Sequence, residues 1–273
     1  MRKTPVVVFA DIDAVPAPAA ESRGELARML EAAAHERVMF VFCSQRTRAQ
    51  VESTRQAFGI FHPFLTESGG AAFLPERYFG TEVENTRKVG GYQAVEFATQ
   101  YDAVVEAVRR AAERLNVGVI GFSDMSVEQV ARECRLSLLE ARLAKLREYG
   151  EPFRLLSANP VAERRLFRAL EATGLTCRRG TDFHLATAAK GPQSGIALLT
   201  RLYRIAFGSV VTAAAVEGVG AAELAPHVDV ALDPIVLEPD DPGAGLHWLE
   251  RIVQDSDNVR AAQHATRTAR VAR

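Results

Sequence analysis

The segment Val6–Asp13 constrains the fold of this chain most, because an apolar run leads directly into two acids. Five consecutive apolar residues, 6–10, are typical of a strand buried on both faces inside a parallel sheet. Asp11 and Asp13 follow this run. Ligands of open α/β sheets bind beyond the carboxyl ends of the strands, so both acids are expected at a site. Taken alone, the pair also fits an ordinary β-to-α turn.

A second apolar run, 38–43, ends on Ser44 and predicts another buried strand. Helical patterns over 25–36 and 47–58 follow the first and second strands. This alternation of strand and helix predicts a parallel sheet with right-handed crossovers.

The same alternation returns after Lys190. A helix is predicted over 194–207, and buried strands over 210–216 and 228–232. Both ends of the chain therefore predict one α/β domain, a doubly wound parallel-sheet (Rossmann-like) core.

The pattern between these two parts is different. Two helices open on capping boxes, Ser126 with Gln129 and Ser137 with Glu140. Further hairpins are predicted over 67–74, at a sheet edge, and between 175–178 and 183–185.

Short strands mixed with helices predict a smaller α+β unit with an antiparallel sheet. The predicted organisation is a core domain of residues 1–86 and 188–273 with an inserted cap domain over 87–187. The Arg-rich end of the chain, about the last 18 residues, is expected to fray.

Composition excludes several classes of protein. A net charge of −1 over 273 residues gives no reason to expect nucleic acid or an anionic membrane surface as a partner. Cys43, Cys134 and Cys177 are scattered, which argues against a disulfide framework or a zinc site. No apolar run approaches the roughly 20 residues that span a bilayer. With a core strand predicted so close to Met1, we expect no signal peptide and a cytoplasmic protein.

Reactive side chains follow several of the predicted strands: Asp11, Asp13, Ser44 and Glu217, joined by Lys190 before a helix. They comprise a nucleophilic carboxylate, an acid, a hydroxyl donor, a metal-ligand candidate and a cation. Phosphoryl transfer uses such a set, because charge on the transferred group must be stabilised by cations and hydrogen-bond donors. A carboxylate can hold the phosphoryl group covalently before water removes it.

Each residue also has a plainer interpretation. Ser44 could be a helix N-cap, Lys190 a surface lysine and Glu217 a solvated loop acid. Cys43 is expected to be a small buried core residue.

Several segments carry motifs typical of one family. These segments are 11–15, 43–48, 67–71, 121–126, 147–153 and 180–185, together with Lys190. On these, residues from about 5 to 235 resemble the haloacid dehalogenase superfamily of phosphatases and, more narrowly, its mannosyl-3-phosphoglycerate phosphatase-like family.

The resemblance implies a role for each core residue. Asp11 attacks phosphorus, and Asp13 protonates the leaving alkoxide and later activates water. Ser44 and Lys190 hold the phosphoryl oxygens. Mg²⁺ is bound by the Asp11 carboxylate, the Asp13 backbone carbonyl and an acid after the strand ending at Val216, matched here by Glu217.

The resemblance also implies a cap that closes over the sugar-glycerate part of a small phosphorylated substrate. Arg147, Glu148 and His184 lie in the segments most similar to the family's substrate-reading motifs. Each of these residues also has a structural interpretation. Arg147 and Glu148 could be a solvated ion pair at a helix end, and His184 could be a hydrogen-bonded histidine in a hairpin.

The fourth motif departs from the family pattern, with Glu217 for Asp, Gly220 for Asn and Ala221 for Asp. Ala14 and Val15 also replace the usual Gly and Thr. Two hypotheses follow. One is a Mg²⁺-dependent phosphatase of a phosphorylated sugar or sugar-glycerate, which binds metal weakly. The other is a catalytically weakened relative that binds such a ligand, or a partner protein, without efficient turnover.

Overall fold

The computed structural model describes residues 3–80, 83–157, 159–215, 224–233, 241 and 243–271. Its strands are β1 (Val6–Asp11), β2 (Val38–Cys43), β3 (Phe64–Thr66), β4 (Ala71–Pro75), β5 (Arg87–Val89), β6 (Tyr92–Glu96), β7 (Val119–Gly121), β8 (Gly150–Leu155), β9 (Thr176–Arg178), β10 (His184–Thr187), β11 (Val211–Ala215) and β12 (Val230–Ala231). Its α-helices are α1 (Arg23–His35), α2 (Arg48–Phe58), α3 (Tyr101–Leu115), α4 (Val127–Cys134), α5 (Leu138–Ala144), α6 (Pro160–Glu171), α7 (Gln193–Phe207), α8 (Ala244–Gln254) and α9 (Ser256–Val271).

The larger sheet has eight strands in the order β12-β11-β1-β2-β3-β4-β6-β5. The first five are parallel and the last three run antiparallel to their neighbours. Helices cover both faces: α1, α2 and α8 pack on one, with Trp248 fully buried, and α7 packs on the other. The predicted doubly wound α/β core is confirmed.

A four-stranded antiparallel sheet, β7-β8-β10-β9, forms the second unit. Helices α3 and α6 pack on one of its faces around the buried Phe153 and Leu166. Both predicted capping boxes are present, at the start of α4 and of α5, and the predicted hairpin of β9 with β10 forms.

The larger sheet extends further along the chain than the predicted boundary at residue 87. Strands β5 and β6 pair with each other, and β6 pairs with β4. The prediction that residues 67–74 form a hairpin at a sheet edge is therefore wrong, because β4 lies inside the sheet, between β3 and β6. The division into a core and an inserted cap stays a prediction.

The C-terminal segment was expected to fray, and this expectation is wrong at its start. Helix α9 begins at Ser256, and the Arg260 side chain is buried. Arg260 Nε donates to the carbonyl of Thr4 at 2.8 Å, and its Nη2 donates to the carbonyl of Glu36. None of the described helices has both the length and the apolar character needed to cross a bilayer.

A chain of buried and partly buried polar side chains runs through the larger unit. His62 Nδ1 lies 2.6 Å from the hydroxyl of Tyr78, which lies 3.2 Å from that of Tyr203. The guanidinium of Arg55 donates to the His62 carbonyl at 2.6 Å. Burial, with the charge of Arg55, lowers the pKa of His62 from 6.5 to about 4. His62 is therefore neutral in the folded protein near neutral pH.

This shift predicts acid sensitivity. The unfolded chain binds more protons than the folded one between pH 6.5 and about 4, so the free energy of unfolding falls as pH falls through this window. The loss from His62 is about 3 kcal/mol. Urea unfolding across this range should show a shallower pH dependence in His62→Gln than in the wild type. His35→Gln, at an 85% exposed side chain, is the control and should follow the wild type. Parallel curves for all three proteins would contradict the account.

Candidate active site

The two acids lie where β1 leaves the sheet. Strand β1 is paired in parallel on both sides, with β2 and β11. The Ile12 amide still donates to the carbonyl of Cys43, and the Asp13 amide turns back to donate to Asp11 Oδ1 at 3.0 Å. The chain therefore leaves strand geometry between the two acids. This is necessary if both carboxylates are to reach one reacting centre.

Donors from the segment after β2 surround the Asp13 carboxylate. Ser44 Oγ donates to Oδ1 at 2.5 Å, and the Gln45 amide donates to Oδ2 at 2.8 Å. Arg46 Nε lies 3.5 Å from Oδ1, and its Nη2 donates to the Asp13 backbone carbonyl at 2.8 Å. These contacts fix the orientation of the Asp13 side chain, which stays 25% exposed.

The N-cap of helix α2 is Thr47, whose hydroxyl accepts from the Gln50 amide. Ser44 is therefore not that cap, and its hydroxyl lies in the site, as the phosphate-binding interpretation expects. Cys43 is a buried core residue, as predicted. Burial and the negative charges of Asp11 and Asp13 raise the pKa of its thiol well above the ordinary value, which keeps the sulfur neutral.

A cavity of about 260 Å³ opens above these acids. Its lining comes from both sheets and the loops between them: Asp11, Asp13, Cys43, Ser44, Gln45, Leu65, Ser68, Gly69, Arg178, Arg179, Pro192 and Leu224. Residues of the smaller sheet thus line the same space as the two acids.

Lys190 is exposed, on the otherwise buried loop between β10 and α7. The loop is placed beside the cavity by a close approach: a Cβ on Gly69 would lie 2.3 Å from the Gly191 carbonyl oxygen. Pro192 lines the cavity, whereas Lys190 itself is not among the described lining residues. Its phosphate-binding role stays a prediction.

Arg147 and Glu148 connect the two sheets. Arg147 Nε lies 3.1 Å from Oε2 of the buried Glu67, whose carboxylate also accepts from the amides of Glu148 and Tyr149. Burial raises the pKa of Glu67, and the Arg147 charge and the two amides oppose the rise. The Glu148 carboxylate binds Arg48 at 2.9 Å and Arg87 at 2.6 Å.

The solvated-pair interpretation of Arg147 and Glu148 is therefore wrong, since their side chains are only 8% and 19% exposed. Within the described part of the chain, neither lines the cavity. That Arg147 and Glu148 contact the substrate stays a prediction.

His184 lies on β10 among the aromatic rings of Phe153 and Phe167. Its Nε2 is 3.9 Å from Glu163 Oε2, and its Nδ1 is buried with no hydrogen-bond partner among the described residues. It is not a lining residue of the cavity as described. Its predicted role as a substrate contact is therefore also untested.

The candidate metal ligand Glu217, with Gly220 and Ala221, lies outside the described residues. Among those that are described, no three His, Cys, Asp or Glu side chains are grouped to hold a metal ion.

Sequence reasoning missed Arg46, Arg178 and Arg179. Arg46 directly follows the Ser44 motif, so its nearness to the acids could have been inferred. The available signal for Arg178 and Arg179 was two consecutive arginines at the end of a predicted hairpin strand. The strand pattern alone did not show that this end of the hairpin lies beside the cavity.

Comparisons with known proteins agree with these motifs, although no family model matches the chain. The chain is 28% identical to the glucosyl-3-phosphoglycerate/mannosyl-3-phosphoglycerate phosphatase of Methanococcoides burtonii, over 86% of this chain and 85% of that one. It is 29% identical to the mannosyl-3-phosphoglycerate phosphatase of Pyrococcus furiosus, over 53% of this chain and 58% of that one. The resemblance inferred from the motifs is confirmed.

Solved structures agree in fold. BT1666 from Bacteroides thetaiotaomicron, a phosphatase of the haloalkanoate (HAD) superfamily, aligns with a TM-score of 0.53 and 13% identity over 96% of this chain and 95% of that one. A haloacid dehalogenase-like hydrolase from B. subtilis aligns with a TM-score of 0.54 and 12% identity over 93% and 99%.

The ion pair of Glu67 with Arg147 predicts a large stability effect. Glu67→Ala leaves a buried guanidinium uncompensated, which should lower the free energy of unfolding by about 3–5 kcal/mol. Glu106→Ala is the control, because it breaks an exposed i,i+4 pair with Arg110 and should cost at most about 0.5 kcal/mol. Urea titration of both variants measures the difference. A similar small loss in both would mean that the buried pair does not hold the two sheets together.

Proposed function

We propose that this chain is a phosphoric monoester hydrolase that acts on a phosphorylated sugar-glycerate similar to mannosyl-3-phosphoglycerate. The observation that carries the proposal is the pair Asp11 and Asp13 at the end of a central parallel strand, with Ser44 bonded to Asp13 in a shared cavity. The names of the curated relatives support the substrate class.

Asp11 is the proposed nucleophile. A carboxylate oxygen of Asp11 forms a bond to phosphorus as the bond from phosphorus to the ester oxygen breaks. The leaving alkoxide takes a proton from the Asp13 carboxyl group, and Asp13 then removes a proton from the water that releases phosphate. The turn that carries the Asp13 amide back to Asp11 supports this division of roles, because it brings the two residues to one end of the strand.

Ser44 and Lys190 are the proposed phosphate-binding groups. The Ser44 hydroxyl and the loop amides after it are donors beside the acids, and a lysine on the neighbouring loop would balance the phosphoryl charge. Arg46 places a cation at Asp13, and a cation beside the acids supports a site for an anionic substrate.

The donor set suits Mg²⁺ in kind, because the Asp11 carboxylate and the Asp13 carbonyl offer hard oxygen ligands at one place. Glu217 is the proposed third ligand. A divalent cation bound here would neutralise the repulsion between the nucleophile and the phosphate. The Asp13 carbonyl already accepts from Arg46 and can offer its second lone pair to a cation.

The proposed cap is the smaller sheet with its helices, within the predicted segment 87–187, and the substrate's sugar-glycerate part lies between this cap and the larger sheet. In this proposal Arg147 and Glu148, which hold the cap against the core, and His184, which packs inside the cap, act on substrate specificity. The alternative of a relative without efficient turnover is not favoured, because the curated relatives are named as phosphatases.

Removal of the nucleophile provides the first test. Asp11→Asn is nearly isosteric but has no anionic oxygen, so hydrolysis of mannosyl-3-phosphoglycerate should fall by roughly 10³-fold or more. Asp13→Asn loses the proton donor and should fall by about 10²–10⁴-fold. Phosphate release is the measurement, and Asp102→Asn on the exposed first turn of α3 is the control. Wild-type turnover in Asp11→Asn would overturn the covalent route.

The altered fourth motif provides the second test. Glu217 is one methylene longer than the family's Asp, and Ala221 offers no carboxylate, so we expect weak binding of Mg²⁺ and similar use of Mn²⁺. The double substitution Glu217→Asp with Ala221→Asp should tighten Mg²⁺ binding in calorimetry by about tenfold and raise turnover at low metal. If neither quantity changes, this loop does not form the metal site.

A further inference from the structure

We infer that Arg147 is a positioning residue for Asp13, so that docking of the smaller unit on the larger one orients the acid. The inference rests on the proposed function, in which Asp13 protonates the leaving alkoxide. It deepens that function, because it gives Arg147 a part in the chemical step, whereas the motifs of the chain indicate a contact with substrate.

The Asp13 carboxylate is oriented by the two peptide groups on either side of Gln45. The amide of Gln45 donates to Oδ2 at 2.8 Å. The amide of Arg46 donates at 2.9 Å to Ser44 Oγ, which in turn donates to Oδ1 at 2.5 Å. Both oxygens of the acid therefore depend on where this short segment of backbone lies.

Arg147 bonds the same backbone from the other unit. Its Nη1 donates to the carbonyl of Gln45 at 3.3 Å, and this carbonyl belongs to the peptide group whose amide bonds Ser44 Oγ. No other donor among the described residues bonds the Gln45 carbonyl. Gln45 itself is exposed, whereas the Arg147 side chain is only 8% exposed, so an exposed loop is anchored by a buried cation.

The Arg147 guanidinium is itself held in place. Its Nε donates to the carbonyl of Gly150 at 3.0 Å and lies 3.1 Å from Oε2 of the buried Glu67. Hydrogen bonds from a charged donor are stronger than those from a neutral one, and bonds in a chain polarise one another. The bond from Arg147 to the loop carbonyl therefore strengthens the amide donor of the same peptide group.

A second contact ties the loop to the smaller unit. The hydroxyl of the buried Thr47 donates to the carbonyl of Leu143 at 2.8 Å. Of the two contacts, the one made by Arg147 lies at the peptide group nearer to the acid. An error of about 1 Å in the position of a catalytic group costs on the order of 10²-fold in rate, so loss of this contact should slow proton transfer from Asp13.

The test varies the leaving group of the ester. Arg147→Lys keeps a cation beside Glu67 but replaces the guanidinium fork by a single nitrogen, so the bond to Gln45 is lost. We expect kcat/KM to fall by about 10–100-fold for mannosyl-3-phosphoglycerate and for glycerol 2-phosphate, whose alkoxides need a proton to leave. For 4-nitrophenyl phosphate, whose phenolate leaves without a proton, the change should be less than about threefold. If Arg147→Lys does not fold, Glu67→Gln with Arg147→Met takes its place, because it removes both charges of the buried pair and leaves neither unpaired.

Glu148→Gln is the matched control. Glu148 follows Arg147 in the chain and pairs with Arg48 and Arg87 of the larger unit, but none of its described contacts is with Gln45. Weaker docking by itself should therefore change kcat/KM by the same factor for glycerol 2-phosphate and for 4-nitrophenyl phosphate.

Deuterium exchange at the Gln45 and Arg46 amides, followed by NMR, gives a readout that needs no turnover. Both amides should exchange about tenfold faster in Arg147→Lys than in the wild type, the scale of one hydrogen bond to a charged group. In Glu148→Gln they should exchange at the wild-type rate. Unchanged exchange in Arg147→Lys, or the same acceleration in both variants, would overturn the inference.

The kinetic outcomes separate this inference from the proposed function. A loss in Arg147→Lys that is confined to mannosyl-3-phosphoglycerate, an equal loss on all three esters, or no loss would overturn the inference. If the wild type releases phosphate from none of the three esters, the proposed function is overturned instead. The exchange rates decide the role of Arg147 in that case, and also where the wild type does not hydrolyse the two esters that lack the sugar.

Discussion

The pairing of β1 with a parallel strand on each side is the constraint on which the site depends. Ala10 lies opposite Phe42 of β2 and Ala215 of β11, so three strands end together at one edge of the sheet. Since side chains alternate along a strand, a slip of one residue would turn Asp11 to the other face. The register thus places the Asp13 carboxylate within reach of the Ser44 hydroxyl, although 31 residues separate them along the chain.

A second constraint joins the two sheets. Glu67 is buried at the turn between β3 and β4, and it binds the segment that enters β8 through Arg147 and two backbone amides. The residues after Glu67 line the cavity, and Gly69 touches the loop that follows β10. This buried carboxylate, together with the ion pairs of Glu148 with Arg48 and Arg87, therefore positions the smaller sheet against the acids of the larger one.

The sequence predicts the parts of this structure that rest on local signals. The apolar run before Asp11 identified a buried strand, and the Ser126 and Ser137 capping boxes identified the starts of α4 and α5. The position of Ser44 beside the acids could be predicted as well, because parallel strands share an edge. The full extent of the larger sheet could not, since β5 and β6 are short strands whose partner is fixed only by pairing.

The cap side of the site was hard to predict because its contacts are long-range. Arg147 was expected to read substrate, but its charge is matched by Glu67, and nothing local to Arg147 marks that partner. The face of β9 that Arg178 occupies depends on where α3 and α6 pack. The cap side of the cavity therefore depends on how the two sheets pack, while the acids were visible in a single strand.

The central claim is that Asp11 carries the phosphoryl group during turnover. The most direct measurement is rapid acid quench of the wild type during hydrolysis of phosphate-labelled mannosyl-3-phosphoglycerate, followed by peptide mapping. The account predicts acid-trapped label on the peptide that contains Asp11, and none in Asp11→Asn. Label on another residue, or steady turnover with no trapped label at any quench time, would contradict it.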